Sequence, residues 1–179
     1  MREATATEPN DPEAVALATA ASDGAPSVRM VLMKHIAPEG FSFYTNAESQ
    51  KGRELQQNPR AAMCFHWKTQ RRQVRVAGVV RSLAAEQADT YFHSRARRSQ
   101  IGAAVSRQSR PLACREDLVH AARELEERCP GEVPRPAYWR GYTLVAERIE
   151  FWQDGEFRLH DRIVFTRAGG RWHKSRLYP

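Results

Sequence analysis

Basic and polar side chains recur in short islands within strand-like segments, and the stretch EFRLHDRIVF (156–165) is the densest of them. Successive side chains of an extended strand point to opposite faces. If the stretch is extended, Arg158, His160 and Arg162 therefore lie on one face. That face presents two guanidinium groups and an imidazole, which are hydrogen-bond donors suited to a polar or anionic ligand.

A second island, YFHSRARRSQ (91–100), combines residue types that bind phosphate. Tyr91, Arg95 and Ser99 recur at spacings of four, so on one continuous helix they lie along one face. A phenol, a guanidinium and a hydroxyl on one face suit a phosphate group. The alternative for this segment is an exposed helix end.

The stretch SQKGREL (49–55) predicts the start of a helix with Ser49 as its N-cap. The first turn of a helix offers free N–H groups and the positive end of the helix dipole, which together make an anion site. Lys51 lies in that turn, where a cation is unfavourable unless an anion is near. A solvated lysine is the alternative.

The stretch RMVLMK (29–34) is apolar at its four central positions, which predicts a strand buried on both faces with Arg29 and Lys34 at its ends. Both cations could instead simply reach solvent. Polar groups are added by Gln73 in RQVRV (72–76) and by the basic loop SRQSR (106–110). Five such islands in one small domain predict two phosphate-bearing ligands that share a cleft.

The 179 residues suffice for one domain with a core. Net charge is +7, and because the arginines form neither one tract nor one helix face, discrete anion contacts are favoured over a nucleic-acid stripe. Three cysteines without a CxxC pair and six scattered histidines predict neither disulfides nor a metal site. No apolar run approaches the length of a membrane span and the polar N-terminus is no secretory signal, so we expect a cytoplasmic protein with no membrane partner.

The elements that must position these islands are mostly strands. Residues 1–12 are expected to be a flexible segment, and 13–179 a single domain. Long antiparallel hairpins with helices inserted late predict a mainly β (α+β) fold, a closed or split β-barrel with peripheral helices. A Rossmann or P-loop fold is disfavoured because strands and helices do not alternate as β-α-β units and neither GxGxxG nor GxxxxGK[ST] is present. The predicted strands are 14–22, 27–36, 41–46, 61–67, 72–83, 142–153, 160–167 and 171–178, and the predicted helices are 49–58, 84–95, a short one at the start of 99–111, and 115–129.

Taken in order, these motifs closely resemble the pyridoxine/pyridoxamine 5'-phosphate oxidase family. The stretches that carry the resemblance are RMVLMK, FYTN…SQKGREL, RRQVRV, YFHSRARRSQIGA, SRQSRP, GEVPRPAYWRGY and IEFWQDGEFRLHDR…RLYP. It runs from about Asp11 to Pro179 without a large gap. The resemblance implies an FMN-binding split barrel and a homodimer with FMN at the subunit interface. It also implies oxidation of pyridoxine or pyridoxamine 5'-phosphate to pyridoxal 5'-phosphate, with O2 as electron acceptor and hydrogen peroxide as product.

The resemblance also implies roles for single residues. Arg158 and His160 would lie over the pyridine ring of the substrate, as catalytic and substrate-binding residues, with Arg158 orienting it and His160 in support. The substrate phosphate would be held by Lys34, Tyr91, Arg95 and Ser99. The FMN contacts would be Arg29, Met30, Val31, Leu32, Met33, Lys34, Tyr44, Thr45, Gln50, Lys51, Gln73, Gln108, Ser109, Trp152 and Arg162.

The sequence departs from the family pattern at two places. First, Gln50 stands where many members have arginine, so one cation is missing near the FMN phosphate. Second, members commonly carry a longer segment before the first barrel strand, and part of that segment folds over the substrate. Two alternative functions remain open. One is a related split-barrel flavin oxidase of secondary metabolism, as in phenazine assembly. The other is a non-catalytic protein that binds FMN or pyridoxal phosphate.

Overall fold

The structure, a computed structural model, describes residues 1–179 and contains eight strands and five α-helices. The predicted elements are all present, with ends shifted by a few residues. The helices are α1 (Arg2–Thr7), α2 (Gln50–Gln57), α3 (Ala85–Ser94), α4 (Arg97–Val105) and α5 (Arg115–Arg128). The strands are β1 (Ala14–Ala20), β2 (Pro26–Ala37), β3 (Gly40–Asn46), β4 (Arg60–Trp67), β5 (Arg72–Ser82), β6 (Trp139–Gln153), β7 (Asp161–Ala168) and β8 (Arg171–Arg176).

The strands form one sheet in the order β3-β2-β1-β4-β5-β6-β7-β8. Strand β3 also pairs with β6, so the first six strands of this order close into an antiparallel barrel, and β7 and β8 continue the sheet beyond β6. This confirms the predicted mainly β barrel with peripheral helices.

Alternation explains why these segments form barrel strands. In β1 every second residue is buried, and Val15 and Leu17 are fully enclosed. Strand β4 repeats the pattern with Met63 and Phe65. The buried side chains of both strands fill the barrel interior, while the intervening residues face outward.

Two glycines lie where strands approach closely. A Cβ atom on Gly78 in β5 would lie 2.0 Å from the carbonyl oxygen of Val145 in β6, and one on Gly40 in β3 would lie 2.2 Å from the carbonyl oxygen of Leu144. Neither position has room for a side chain.

The chain divides into two compact units, where the sequence predicted one domain over 13–179. The first comprises 1–43, 54–81 and 143–179, and the second comprises 44–53 and 82–142. The first unit has the barrel core described above. The second has its own apolar cluster, formed by Ala88, Phe92, Ile101, Val133 and Trp139.

Helix α1 lies in the segment 1–12, which the sequence predicted to be flexible. Ala4 is 1% exposed, and Glu8 Oε1 accepts a hydrogen bond of 3.0 Å from the backbone N–H of Thr69. Glu3 forms an ion pair with Arg72 of β5. These contacts fix a helix that its polar composition does not signal, and the flexibility of the segment stays a prediction.

Strand β2 is not buried on both faces, and that prediction was wrong for the single chain. Val28, Met30 and Leu32 are 68%, 62% and 42% exposed, while Met33 is 4% exposed. A barrel strand packs only its inward side chains against the core. The outward face of β2 is therefore an exposed apolar strip.

Two further features concern ligands and membranes. No helix has the length and apolar character needed to cross a membrane. No three His, Cys, Asp or Glu side chains are grouped so that they could hold a metal ion.

Candidate active site

The predicted site residues divide between the two compact units, and each set is described within its own unit. The second unit contains Tyr44, Thr45, Gln50, Lys51, Tyr91, Arg95, Ser99, Gln108 and Ser109. The first unit contains Arg29, Met30, Val31, Leu32, Met33, Lys34, Gln73, Trp152, Arg158, His160 and Arg162.

In the second unit, Lys51 is a buried ammonium group in the first turn of α2. Its Nζ lies 2.9 Å from Gln108 Oε1 and 3.3 Å from the hydroxyl oxygens of Thr45 and Ser49. Ser49 Oγ accepts a hydrogen bond from the N–H of Gly52, as expected of the N-cap. The structure thus brings Thr45, Lys51 and Gln108 together across more than fifty residues of sequence.

Two neighbours of this group remain at the surface. Gln50 is exposed at the start of α2, and Ser109 is exposed with a positive φ of 69°. A cation, an amide and two hydroxyls at a helix start are chemically suited to a phosphate group.

Arg95 lies at the break between α3 and α4 and not within a continuous helix. It is the C-cap of α3, and α4 begins at Arg97, so Ser99 belongs to a different helix from Tyr91. The prediction that Tyr91, Arg95 and Ser99 share one helix face was therefore wrong. The backbone of Arg95 is extended, with ψ of 152°, and Gln100 Nε2 donates to the Arg95 carbonyl oxygen at 2.8 Å, which satisfies this helix end.

An aromatic stack supports the Arg95 guanidinium. Its Cζ lies 5.2 Å from the ring centroid of Trp139, which stacks with Tyr44 and Tyr91 at 5.5 and 5.9 Å. The Nη1 atom is buried without a hydrogen-bond partner. Burial lowers the pKa of Arg95, and the nearby Tyr91 partly opposes that effect. A buried cationic donor without an acceptor is suited to an anionic ligand.

In the first unit, Arg29 is held inside a polar group that includes a buried carboxylate. Its Nη2 lies 3.2 Å from Glu54 Oε2, and its Nη1 lies 3.3 Å from the carbonyl oxygen of Leu17. Thr19 and Ser27 also hydrogen-bond to Glu54. The sequence analysis did not identify Glu54, because one glutamate in an amphipathic helix carries no distinguishing signal.

The other end of the 29–34 stretch has a simpler environment. Lys34 Nζ forms an ion pair of 3.2 Å with Glu13 Oε1, and both side chains are partly exposed. Between the two cations, Met30 and Leu32 face outward, whereas Val31 is half-buried and Met33 is buried.

Gln73 and Trp152 line one cavity of about 450 Å³ in the first unit. Its walls come from α1, β4, β5, β6 and β7. Trp152 is paired with Arg162 in the β6–β7 register, and its ring centroid lies 4.7 Å from that of His160. The structure therefore groups Trp152, His160 and Arg162.

The segment 156–160 is a turn, so the predicted strand face that joins Arg158, His160 and Arg162 was wrong. Residues Glu156–Arg158 form one 3-10 turn, Phe157 and Arg158 have positive φ of 53° and 66°, and β7 begins only at Asp161. The alternating pattern was misleading because side chains within the turn bond locally.

His160 closes this turn. Its Nδ1 lies 3.1 Å from the backbone N–H donor of Gly155 and 3.0 Å from Asp154 Oδ1, and Asp154 also pairs with Arg71. The His160 side chain is largely buried, whereas Arg158 is exposed. Asp154 was missed from the sequence because nothing in its spacing marks it as a partner of His160.

Arg162 is held by a buried carboxylate and by a backbone carbonyl. Its Nε and Nη2 each lie 2.9 Å from Glu150 Oε1, and its Nη1 donates to the carbonyl oxygen of Tyr178 at 2.9 Å. Neither Glu150 nor Tyr178 was singled out from the sequence.

Each unit thus offers fixed cationic donors next to aromatic rings. The second unit has Lys51 with its neutral oxygen partners and Arg95 on Trp139. The first unit has Arg29 and Arg162, each fixed by a buried glutamate, with Trp152 beside Arg162. Such groups are chemically suited to phosphate and to a flat, polar ring system, which is the combination that FMN carries.

Family models match almost the whole chain. The model described as pyridoxamine 5'-phosphate oxidase matches residues 1–129, and the model described as pyridoxine 5'-phosphate oxidase C-terminal dimerisation region matches residues 139–179.

Curated relatives are similar over the full chain. The pyridoxine/pyridoxamine 5'-phosphate oxidase of Erythrobacter litoralis is 58% identical, with 100% of this chain and 87% of the relative covered. The oxidases of the same name from Rhizobium etli (strain CIAT 652) and Gluconobacter oxydans are 56% and 52% identical, with 100% of this chain and 88% and 90% of the relatives covered.

Solved structures agree on the fold. PhzG from Burkholderia lata 383, in complex with tetrahydrophenazine-1-carboxylic acid, superposes with a TM-score of 0.93 at 32% identity and covers 99% of this chain and 86% of its own. A pyridoxamine 5'-phosphate oxidase-related, FMN binding protein from Nostoc punctiforme superposes with a TM-score of 0.77 at 16% identity, covering 94% and 88%, and supports the fold alone. With two family models that together match nearly its full length and relatives above 50% identity, the chain belongs to the pyridoxine/pyridoxamine 5'-phosphate oxidase family of oxidoreductases.

Proposed function

We propose that this chain is an FMN-dependent oxidase that converts pyridoxine 5'-phosphate or pyridoxamine 5'-phosphate to pyridoxal 5'-phosphate. Molecular oxygen is the electron acceptor and hydrogen peroxide the product, and the amine substrate also releases ammonia. Beyond membership of the family, the proposal rests on the environment of Arg95. Its guanidinium packs on Trp139, and its Nη1 is buried without a hydrogen-bond partner. A phosphate ester supplies the missing acceptor.

The cofactor phosphate is assigned to Lys51 and Arg29, with Thr45, Gln108 and Ser109 as further donors and with Gln50 alongside. The support is the chemistry of the set, since Lys51 already lies within 3.3 Å of the oxygens of Thr45 and Gln108. The chemistry that FMN supplies when bound is acceptance of a hydride and transfer of its electrons to oxygen. The ring and ribityl contacts are assigned to Met30, Val31, Leu32, Met33, Lys34, Tyr44, Gln73, Trp152 and Arg162.

The substrate phosphate is assigned to Lys34, Tyr91, Arg95 and Ser99. The pyridine ring is assigned to Arg158 and His160, which orient the substrate carbon that gives up the hydride. Asp154 lies 3.0 Å from His160 Nδ1 and limits how the imidazole can turn. No nucleophilic side chain is needed, because these side chains orient the substrate and supply positive charge.

We also propose that the working molecule is a homodimer with FMN at the subunit interface. Residues 139–179 match a dimerisation region, and the outward face of β2 exposes Val28, Met30 and Leu32. A contiguous apolar strip of this kind marks a protein interface.

A flavin oxidase of phenazine assembly is the second candidate, because the PhzG structure superposes with a TM-score of 0.93 over 99% of the chain. The two candidates differ in the chemistry of the substrate. A phosphorylated vitamer would present a phosphate group to the Arg95 donor, whereas a phenazine carboxylic acid would present a carboxylate.

The deciding experiment is anaerobic mixing of the FMN-loaded protein with pyridoxine 5'-phosphate while the visible flavin absorbance is followed. We expect bleaching that reverses when air is admitted, with pyridoxal 5'-phosphate and hydrogen peroxide formed. Pyridoxine without its phosphate is the matched control and should bleach the flavin far more slowly. A flavin that stays oxidised with both phosphorylated vitamers, but bleaches with tetrahydrophenazine-1-carboxylic acid, would favour the second candidate. A flavin that stays oxidised with every substrate would indicate a binding protein.

A further inference from the structure

Glu150 is a fully buried carboxylate that the proposed chemistry does not use. Its side chain is 0% exposed, yet it lies among the guanidinium groups of Arg75, Arg148 and Arg162. Arg75 and Arg162 donate to Oε1, and Arg148 donates to Oε2 at 2.9 Å. Three cations on one anion give the cluster an excess of positive charge.

The carboxylate is ionised at neutral pH despite its burial. Burial acts to raise the pKa of Glu150, but hydrogen bonds from Arg75, Arg162 and Arg148 outweigh it and hold that pKa below its usual range. An ionised and hydrogen-bonded carboxylate binds a guanidinium more strongly than a neutral acceptor does. Glu150 is therefore a fixed anchor for its arginines.

The strand register explains why Arg162 meets Glu150. Strands β6 and β7 pair Glu150 with Val164 and Trp152 with Arg162. Residues two apart along a strand share a face, so Glu150 and Arg162 are diagonal neighbours within reach of long side chains. The same register places Arg162 directly opposite Trp152.

The polar contacts of Arg162 leave it little freedom. Of the N–H groups of the Arg162 guanidinium, Nε–H donates to Glu150 Oε1 and one on Nη1 donates to the Tyr178 carbonyl oxygen, while Nη2 lies 2.9 Å from Glu150 Oε1 as an ion pair. The remaining N–H groups on Nη1 and Nη2 can serve a ligand. A donor whose orientation is fixed before binding loses less entropy when the ligand arrives.

We propose that Glu150 is a positioning residue for the flavin ring, because it fixes Arg162 so that the remaining guanidinium N–H groups are presented to FMN in one orientation. This inference rests on the proposed function, in which Arg162 contacts the flavin. Arg75 and Arg148 hold the carboxylate from its other sides. Glu150 itself does not contact FMN.

A double-mutant cycle tests this inference, with the FMN dissociation constant measured from the fluorescence released on dilution of the loaded protein. We expect Glu150→Gln to raise that constant about tenfold or more, because the charge-assisted anchor is lost. Arg162→Lys should raise the FMN dissociation constant by a similar factor. The double variant should bind FMN no more weakly than Arg162→Lys alone, because Glu150 acts through Arg162.

Two further variants separate positioning from folding. Glu150→Asp keeps the charge but withdraws the carboxylate by one methylene, so it should fold and still weaken FMN. Arg148→Gln removes a guanidinium from the same carboxylate without touching Arg162, and should change the constant less than threefold. In the FMN-loaded wild type, the Arg162 Nε–H should give a slowly exchanging NMR signal, which Glu150→Asp loses.

Three results would overturn the inference. They are unchanged FMN affinity in both Glu150 variants, additive effects in the cycle, and an effect of Arg148→Gln as large as that of Glu150→Gln. A wild-type protein that binds no FMN would overturn the proposed function and this inference together. Normal FMN binding by the Glu150 variants would overturn the inference alone.

Discussion

Arg95 combines three properties that rarely occur together in one side chain. It is cationic, its guanidinium rests on the ring of Trp139, and one of its N–H groups is buried without an acceptor. An unsatisfied buried donor costs free energy in the free protein, about 1–3 kcal/mol. A ligand that supplies the acceptor recovers that cost, so this residue should govern affinity for the phosphorylated substrate.

Replacement of Arg95 by glutamine should therefore raise KM for pyridoxine 5'-phosphate about tenfold or more, because a charge-assisted hydrogen bond is lost. FMN affinity should stay within about twofold. Arg98→Gln, on the exposed side of α4, is the matched control and should leave KM unchanged. Steady-state kinetics measure KM, and an FMN titration measures FMN affinity. An unaltered KM in Arg95→Gln would show that Arg95 does not bind the substrate phosphate.

Arg158→Ala should lower kcat about a hundredfold while FMN stays bound, because a substrate ring that is misplaced by about 1 Å loses roughly that factor. Arg158 is exposed and lies in a turn with positive φ, so the barrel core does not depend on it. The control is Arg167→Ala, an exposed arginine on β7. Loss of FMN from Arg158→Ala would show that this arginine serves the cofactor and not the substrate.

At the residue scale, the sequence predicted the cationic side chains more readily than the carboxylates that hold them in place. Lys51 was predictable because a lysine at the start of a helix marks an anion site. The structure brings Lys51 together with Thr45 and Gln108. The glutamates that hold Arg29 and Arg162 were not predicted. Each comes from a different element, and a single carboxylate in an alternating pattern resembles an ordinary exposed residue.

At the scale of elements, local bonds decide where regular structure stops. The spacing of four from Tyr91 to Ser99 is consistent with one helix, yet the backbone of Arg95 is extended and ends α3, and the side chain of Gln100 satisfies the Arg95 carbonyl oxygen. The alternation through 156–162 is consistent with a strand, yet His160 bonds back to the N–H of Gly155. Periodicity predicts a face only while the backbone stays regular, and these side chains interrupt it.

The close approach of β5 to β6 makes a further prediction. Gly78→Ala would place a Cβ atom 2.0 Å from the Val145 carbonyl oxygen, so the strands must shift apart. We expect a loss of about 1–3 kcal/mol in the free energy of unfolding, as for other overpacked sites.

The matched control is Gly102→Ala, where a Cβ atom meets nothing within 4 Å inside helix α4. Because alanine favours helix over glycine by about 0.8–1 kcal/mol, this variant should be slightly more stable. Urea unfolding measures both variants. Equal stability of Gly78→Ala and the wild type would show that β5 and β6 can separate at no cost.

At the scale of the whole molecule, the outward face of β2 predicts self-association. Val28→Glu places a charge on a side chain that is 68% exposed in the single chain. In a dimer that covers this strip, the charge would be desolvated without a partner and the dimer would dissociate.

Light scattering should then report a dimer for the wild type and a monomer for Val28→Glu. Leu112→Glu, at a 53% exposed position in the second unit, is the control and should remain dimeric. A wild type that is monomeric, or a Val28→Glu variant that dimerises with unaltered affinity, would exclude β2 as the interface.

The barrel itself was predictable, because its strands alternate and its hairpins are local. The exposed apolar strip of β2 was not predicted, since a run that is apolar at every position resembles a strand buried on both sides. In the single chain only the inward face is covered. We expect association, and not the fold of one chain, to cover the remaining apolar side chains.

The order of the strands also has a kinetic consequence. Strands β5 and β6 are neighbours in the sheet, yet residues 83–138, a loop of roughly 56 residues, lie between them. Closing a flexible loop of that length costs about 3–4 kcal/mol of chain entropy. The β1–β2 and β4–β5 hairpins carry no such cost. We therefore expect the hairpins and helices α3–α5 to form early, and closure of the barrel at β5–β6 to be the slow, late step of folding.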